Sequence, residues 1–114
     1  MTIQKFEEII SWQKAKTLVV DVYSLFKSSK DFSFRDQIQR AAVSIMNNIA
    51  EGFERQSNKE FKYFLFTAKG SCGELRSMLY AARELGYITE VDLNKLKSEA
   101  LEISRLLSAF IKTL

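Results

Sequence analysis

Four basic residues recur at every seventh position in the second half of the chain: Lys62, Lys69, Arg76 and Arg83, with Arg55 and Lys59 extending the line toward the preceding turn. On a helix a seven-residue step is nearly two full turns, so these side chains share one stripe, and Phe66, Gly73 and Tyr80 fall on it between them. None of the four has an acid three or four positions away, so no local ion pair neutralises it. Cations interleaved with aromatics suit phosphate contact and the stacking of unpaired bases. Lys59, Lys62, Phe66, Lys69, Arg76, Tyr80 and Arg83 are therefore the candidate nucleic-acid contacts. The same stripe suits a second role, as a charged flank paired with acids of a neighbouring helix or subunit. The sequence is compatible with both.

Catalytic chemistry has little to work with. The chain has no histidine, which removes the commonest general base and the commonest metal ligand. Glu51, Glu60 and Glu74 resemble the carboxylates of a helical metal bundle, but such sites pair glutamates with Glu-x-x-His motifs. The plainer reading is that these acids pair with Arg40 and Arg55 or cap helix starts. Cys72 lies on an apolar seam between Ala68 and Leu75, without a histidine partner, and reads as a buried structural thiol. Gly70-Ser71-Cys72-Gly73 is not a phosphate-binding loop, because no strand precedes it and it does not open a helix. The expectation is a protein that is not an enzyme and takes no metal, cofactor or small-molecule substrate.

These residues sit on helices. There are 114 residues, enough for one domain spanning 1–114, with 46% apolar and 27% charged residues, no proline and only four glycines. That composition suits a globular core, and the shortage of turn residues favours long helices over strands. The net charge of +3 permits nucleic-acid binding without demanding it; segment 58–86 holds five basic and three acidic residues, a local excess of +2. No secretory signal and no apolar run of membrane-spanning length is present, and a cytoplasmic protein is expected.

Periodicity predicts four helices. The first lies within about 7–29, with Ala15, Leu18, Val22 and Leu25 inward, Val19 and Phe26 widening the face, and Trp12 stapling the entry. The second covers about 34–54, N-capped by Ser33, with Ile38, Ala42, Ile45, Ile49 and Phe53 inward. Ser57 and Glu60 form a capping box opening a third helix over 58–86, with Phe61, Phe64 or Leu65, Ala68, Cys72, Leu75, Leu79 and Ala82 as its seam and Gly86 as its stop. Thr89 and Asp92 open the fourth, whose line is Leu96, Ala100, Ile103, Leu107, Phe110 and Leu114. Short connections make consecutive helices antiparallel. The fold class is all-α: an up-down-up-down four-helix bundle. Two mid-helix glycines, Gly70 and Gly73, predict close approach of another helix or subunit, since each costs about 1 kcal/mol relative to alanine.

A polar line runs down helix two at the same spacing: Arg40, Ser44, Asn48, Glu51 and Arg55. With Glu74 as a partner from helix three, Arg40, Ser44, Asn48 and Glu51 are expected to form a partly buried polar network. Apolar residues beyond one seam, among them Val19, Phe26, Met46, Phe64, Met78, Leu106 and Ile111, predict an additional intersubunit contact.

The stretch QIQRAAVSIMNNIAEGFERQSNKEF at 37–61 resembles the four-helix-bundle family of bacterial 23S-rRNA intervening-sequence proteins. The resemblance is carried by Gln37, Arg40, Ala41, Ser44, Ile45, Asn48, Ile49, Ala50, Glu51 and Gly52, then Ser57, Glu60 and Phe61, Ala68, Gly70, Ser71, Glu74 and Leu75, Leu85-Gly86-Tyr87, and Trp12-Gln13-Lys14-Ala15 near the start. Met46 stands where many members have proline, so a straighter second helix is expected; Cys72 replaces a more usual apolar or small residue. The resemblance implies an up-down-up-down bundle assembled as a homopentamer, and some members are encoded within insertions in the 23S rRNA gene. The family is also similar to the accessory variability protein of diversity-generating retroelements, a pentamer that binds nucleic acid and a reverse transcriptase. No catalytic residues come with it. The leading expectation is an oligomeric RNA-binding accessory protein; the alternative is a structural or protein-binding oligomer with no nucleic-acid role.

Overall fold

A computed structural model describes residues 2–114. After a single 3-10 turn at Phe6–Glu8 come four helices: α1 (Ile10–Phe26), α2 (Phe32–Phe53), α3 (Asn58–Glu84) and α4 (Glu90–Lys112). No strand occurs among the described residues. Each helix packs on its neighbour in sequence and α1 closes against α4, giving an antiparallel up-down-up-down bundle of 44 × 22 × 19 Å.

The start and stop signals have physical counterparts. Ser57 Oγ accepts the Glu60 amide at 3.2 Å, but the reciprocal bond from the Glu60 carboxylate is not made, so only half of that capping box forms. At Thr89 and Asp92 both halves are present. Gly86 adopts φ +78°, and the amides of Tyr87 and Gly86 return to the carbonyls of Ala82 and Arg83. That is a Schellman stop, which requires the left-handed residue glycine tolerates. The expected cap at Ser33 is displaced: Asp31 caps α2, its carboxylate accepting the Phe34 amide at 3.1 Å. Asp31 also accepts the Tyr87 hydroxyl at 2.6 Å. This bond and the Phe34 amide hold the Asp31 carboxyl below its usual range, as suits an anion at a helix N-terminus.

α1 lies within the expected span, and the extended Ile9 separates it from the 3-10 turn. Trp12 is partly buried against Phe6, edge to face, with ring centroids 5.1 Å apart. The core takes Ala15, Leu18, Val22 and Phe26 from α1, Ile38, Ala41, Ala42, Ile45 and Ile49 from α2, Leu65 and the rest of the α3 seam, and Leu96, Ala100, Ile103, Leu107 and Ile111 from α4. Phe26 and Ile111, expected as surplus apolar surface, are core; Leu25, Phe110 and Leu114 lie at its edge. The reason is helical drift: a 3.6-residue turn shifts an inward line by one position over several turns. α2 runs uninterrupted through Met46.

The α2–α3 corner is the tightest contact. A Cβ on Gly52 would lie 2.6 Å from the Cβ of Phe64 and 3.0 Å from the ring of Phe61. Only glycine lets the end of α2 cross the start of α3 there. This close crossing fixes how α3 leaves the turn, and so which face it turns outward.

Candidate nucleic-acid interface

The outward face of α3 carries the basic residues. Lys59 and Lys69 are exposed, and Lys62 and Arg76 partly covered. None of these four forms an ion pair among the described residues. Arg83 behaves differently: its Nε lies 3.1 Å from Glu90 Oε2 at the start of α4, so the bottom of the stripe is already neutralised. Phe66 is 56% and Tyr80 51% exposed, joined by Tyr63 at 67%. Large aromatics left in water on a polar face are available for stacking.

Two further contacts shape the patch. Lys97 of α4 places its ammonium 5.4 Å from the Tyr80 ring centroid, adding a cation beside one aromatic. Arg55 covers the ring of Phe64 at 4.8 Å while pairing with Glu51 at 3.3 Å. Tyr63 and Lys97 were not among the sequence candidates. Tyr63 lies off the seven-residue line, and the Lys97 contact crosses between helices, where periodicity within one helix carries no signal.

Gly70 and Gly73 contradict the close approach expected of them within the protomer. A Cβ on Gly70 would meet nothing within 4 Å, and one on Gly73 only the Nη2 of Arg76 at 3.8 Å. Each still carries the helix cost of about 1 kcal/mol relative to alanine. The packing of this chain does not offset it. The Nε of Arg76, beside Gly73, is buried without a hydrogen-bond partner.

The expected polar network closes on a smaller set. Ser44 and Ser71 hydroxyls are 2.9 Å apart across α2 and α3, and Asn48 donates to the Ser44 carbonyl at 2.8 Å and to its hydroxyl at 3.0 Å. Arg40, Glu51 and Glu74 do not join it: all three are exposed, and Glu51 bonds only Arg55, at 3.3 Å. The partner that sequence reasoning missed is Ser71, which enters the seam because the α2–α3 crossing brings it opposite Ser44.

Elsewhere the chemistry is quiet. Cys72 is fully buried, and desolvation pushes its thiol up to about 12 although the Arg76 charge pulls the other way; a protonated buried thiol is a poor nucleophile. No group of three or more metal-binding side chains is assembled among the described residues, and no described helix is long and apolar enough to cross a membrane. Between α1 and α4, Glu99 is pushed up to about 7 by desolvation first and by its hydrogen bond to Asp21 second.

A profile of 23S rRNA-intervening sequence proteins matches residues 7–109. The chain belongs to this family. A crystal structure at 1.70 Å resolution of a protein of unknown function from the S23 ribosomal protein family, from Bacteroides thetaiotaomicron VPI-5482, is similar to it, with a TM-score of 0.85 and 27% identity. The similarity covers 90% of this chain and 99% of that one. No curated protein matches. As a 23S rRNA-intervening sequence protein the chain has a four-helix architecture, with Lys59, Lys62, Lys69 and Arg76 of α3 without an ion pair among the described residues.

Proposed function

We propose that this protein is a non-enzymatic, homo-oligomeric bundle that binds RNA along the outward face of α3. The observation that carries the reading is the coincidence on one helix face of Lys59, Lys62, Lys69 and Arg76, unpaired among the described residues, with exposed Tyr63, Phe66 and Tyr80. Unneutralised cations attract phosphate regardless of sequence, and exposed rings stack on bases that are not already paired. RNA is taken as the ligand because the exposed rings suit unpaired bases, and the cytoplasm is the proposed location; the family's description names a gene setting rather than a ligand. The inert state of Cys72 supports a role without catalysis.

Self-association is supported by a different face. Val19, Val20, Tyr23 and Val43 line an apolar groove of about 480 Å³ between α1 and α2, and Val20 is 59% exposed. Apolar surface of this kind is what subunit contacts cover; the proposed assembly is the pentamer that the family resemblance implies. Repeating the α3 face around such a particle would raise avidity above that of one weak contact.

The alternative, a structural oligomer whose stripe pairs with acids, is favoured by the Arg83–Glu90 bridge, where one stripe member already serves that purpose. The deciding experiment is a Lys69→Glu, Arg76→Glu double variant, checked for unchanged assembly and titrated with labelled single-stranded RNA. The RNA reading expects a loss of at least tenfold; unaltered affinity in a properly assembled variant overturns it.

A further inference from the structure

Asp21 of α1 and Glu99 of α4 meet on the seam that closes the bundle, and both are acids. Buried Leu18 and Val22 neighbour Asp21 on α1, and buried Leu96, Ala100 and Ile103 neighbour Glu99 on α4. The pair therefore stands at the rim of the core rather than in open water. The Asp21 side chain is 25% exposed, and Glu99 Oε2 is buried without a hydrogen-bond partner. Two ionised carboxylates can only accept hydrogen bonds, so neither satisfies the other. One proton turns the pair into a donor and an acceptor.

The neighbouring charges point the same way. The groups acting on Glu99 are Asp21 from α1 and Lys95 and Glu102 from α4, with none from α2 or α3 among the described residues. Lys95 Nζ lies 3.8 Å from Asp21 Oδ2, and Lys14 of α1 holds Glu102 at 3.0 Å. Asp92 is committed to the Thr89 cap. With every group ionised, the carboxylates of Asp21, Glu99 and Glu102 outnumber the ammonium groups of Lys14 and Lys95; a proton on Glu99 restores the balance. Desolvation first, and the hydrogen bond to Asp21 second, raise the Glu99 carboxyl from 4.5 to about 7. The folded chain thus holds this proton more tightly than the unfolded chain, and the stabilisation present below 4.5 is lost as pH rises through about 7. A cleft of about 310 Å³, walled by Asp21 and Ser24 on one side and Lys95 and Leu96 on the other, opens beside the pair. Water is at hand when the pair ionises.

We propose that Asp21 and Glu99 form a proton latch: one shared proton fastens α1 to α4, and its loss lets α1 open on its own, ahead of the α2–α3 pair. The α2–α3 contact rests on apolar packing and on the hydrogen bonds of Ser44, Asn48 and Ser71, none of which titrates near neutral pH. α1 also supplies Val19, Val20 and Tyr23 to the apolar groove it shares with α2, so the latch sets how firmly that groove is presented.

The test is amide hydrogen exchange of the intact protein, read helix by helix and corrected for the intrinsic pH dependence of exchange. The α1 amides are expected to lose about fivefold in protection between about pH 6 and about pH 8. At the upper end their exchange should depend less on denaturant than that of the slowest α2 and α3 amides, as a partial opening does. Glu99→Gln keeps a donor facing Asp21 at every pH and is expected to hold α1 protection level across that range. Asp21→Asn supplies the donor from the other side and is expected to do the same, so failure of one variant to fold leaves the other to report. Flat α1 protection in the parent overturns the latch. So does a loss that persists in the folded variants, which places the titrating group elsewhere. If α1 exchanges only with the slowest α2 and α3 amides and with their denaturant dependence, α1 does not open alone and the latch is likewise overturned.

Discussion

The α2–α3 corner and the outward face of α3 use the same residue type for opposite ends. At the corner, Gly52 is buried and a Cβ there would sit 2.6 Å from Phe64; the fold itself requires its small size. On the outward face, Gly70 has nothing within 4 Å of the same hypothetical atom. The first glycine is explained by packing. The second weakens a helix and gains nothing inside the protomer. A sequence motif containing both positions does not separate these roles; the distances do.

Substitutions can break or sharpen this contrast, and the largest effect is expected at the corner. Gly52→Ala must push α3 away through a Cβ that is anchored to the backbone, so a loss of about 1–3 kcal/mol is expected in denaturant unfolding. Stability equal to the parent would mean the crossing is looser than these distances show. Ser71→Ala removes the Ser44–Ser71 hydrogen bond from the same seam and is expected to cost about 1 kcal/mol. Gly70→Ala has the opposite sign, a gain of up to about 1 kcal/mol from helix propensity alone. A loss there would put an unseen neighbour against Gly70.

The α1–α4 seam supplies a pH contrast with the α2–α3 corner, where hydroxyls and apolar contacts hold the helices. Glu99 faces Asp21 of α1 with Lys95 and Glu102 nearby on α4; Lys95 reaches Asp21 at 3.8 Å and Lys14 reaches Glu102 at 3.0 Å. Its carboxyl is raised from 4.5 to about 7. The folded state therefore binds the proton more tightly than the unfolded state does. The contribution to stability is fully present below about pH 4.5 and is lost as pH rises through 7. After discounting for solvent at the seam this amounts to about 1 kcal/mol. Glu99→Gln should flatten that part of the stability–pH curve; an unchanged slope from about pH 5 to about pH 8 would remove Glu99 as its source. The smallest effect is expected at Glu51→Ala, which loses an exposed pair with Arg55 and should shift stability by no more than about 0.5 kcal/mol.

The helices were readable because their apolar residues recur at helical spacing and their ends carry Ser57, Gly86 and Thr89, whose chemistry is local. What was missed crosses between helices. Asp31 outcompetes Ser33 as a cap with help from Tyr87, 56 residues away. Ser71 completes the Ser44–Asn48 network from the opposite helix. Arg83 finds Glu90 seven residues on, across the α3–α4 turn, beyond the three- or four-residue reach of pairing within one helix. Arg40 and Glu74 share polar spacing with that network, but their exposed positions leave them outside it. The α3 stripe was legible as a line of charge, since that needs only the heptad. That Gly70 faces open space was not, because an absent neighbour leaves no trace in the sequence.

The most direct test of the α3 face as an RNA site is the salt dependence of binding. Affinity of the intact protein for a labelled single-stranded oligouridylate should be measured by anisotropy from low to moderate salt. With Lys59, Lys62, Lys69 and Arg76 each neutralising a phosphate, log affinity should fall against log salt with a slope of about −3 for one engaged protomer, at roughly −0.7 per phosphate. The Lys69→Glu, Arg76→Glu variant should weaken binding and halve that slope. Binding that is indifferent to salt, or a slope unchanged in the variant, would contradict the assignment.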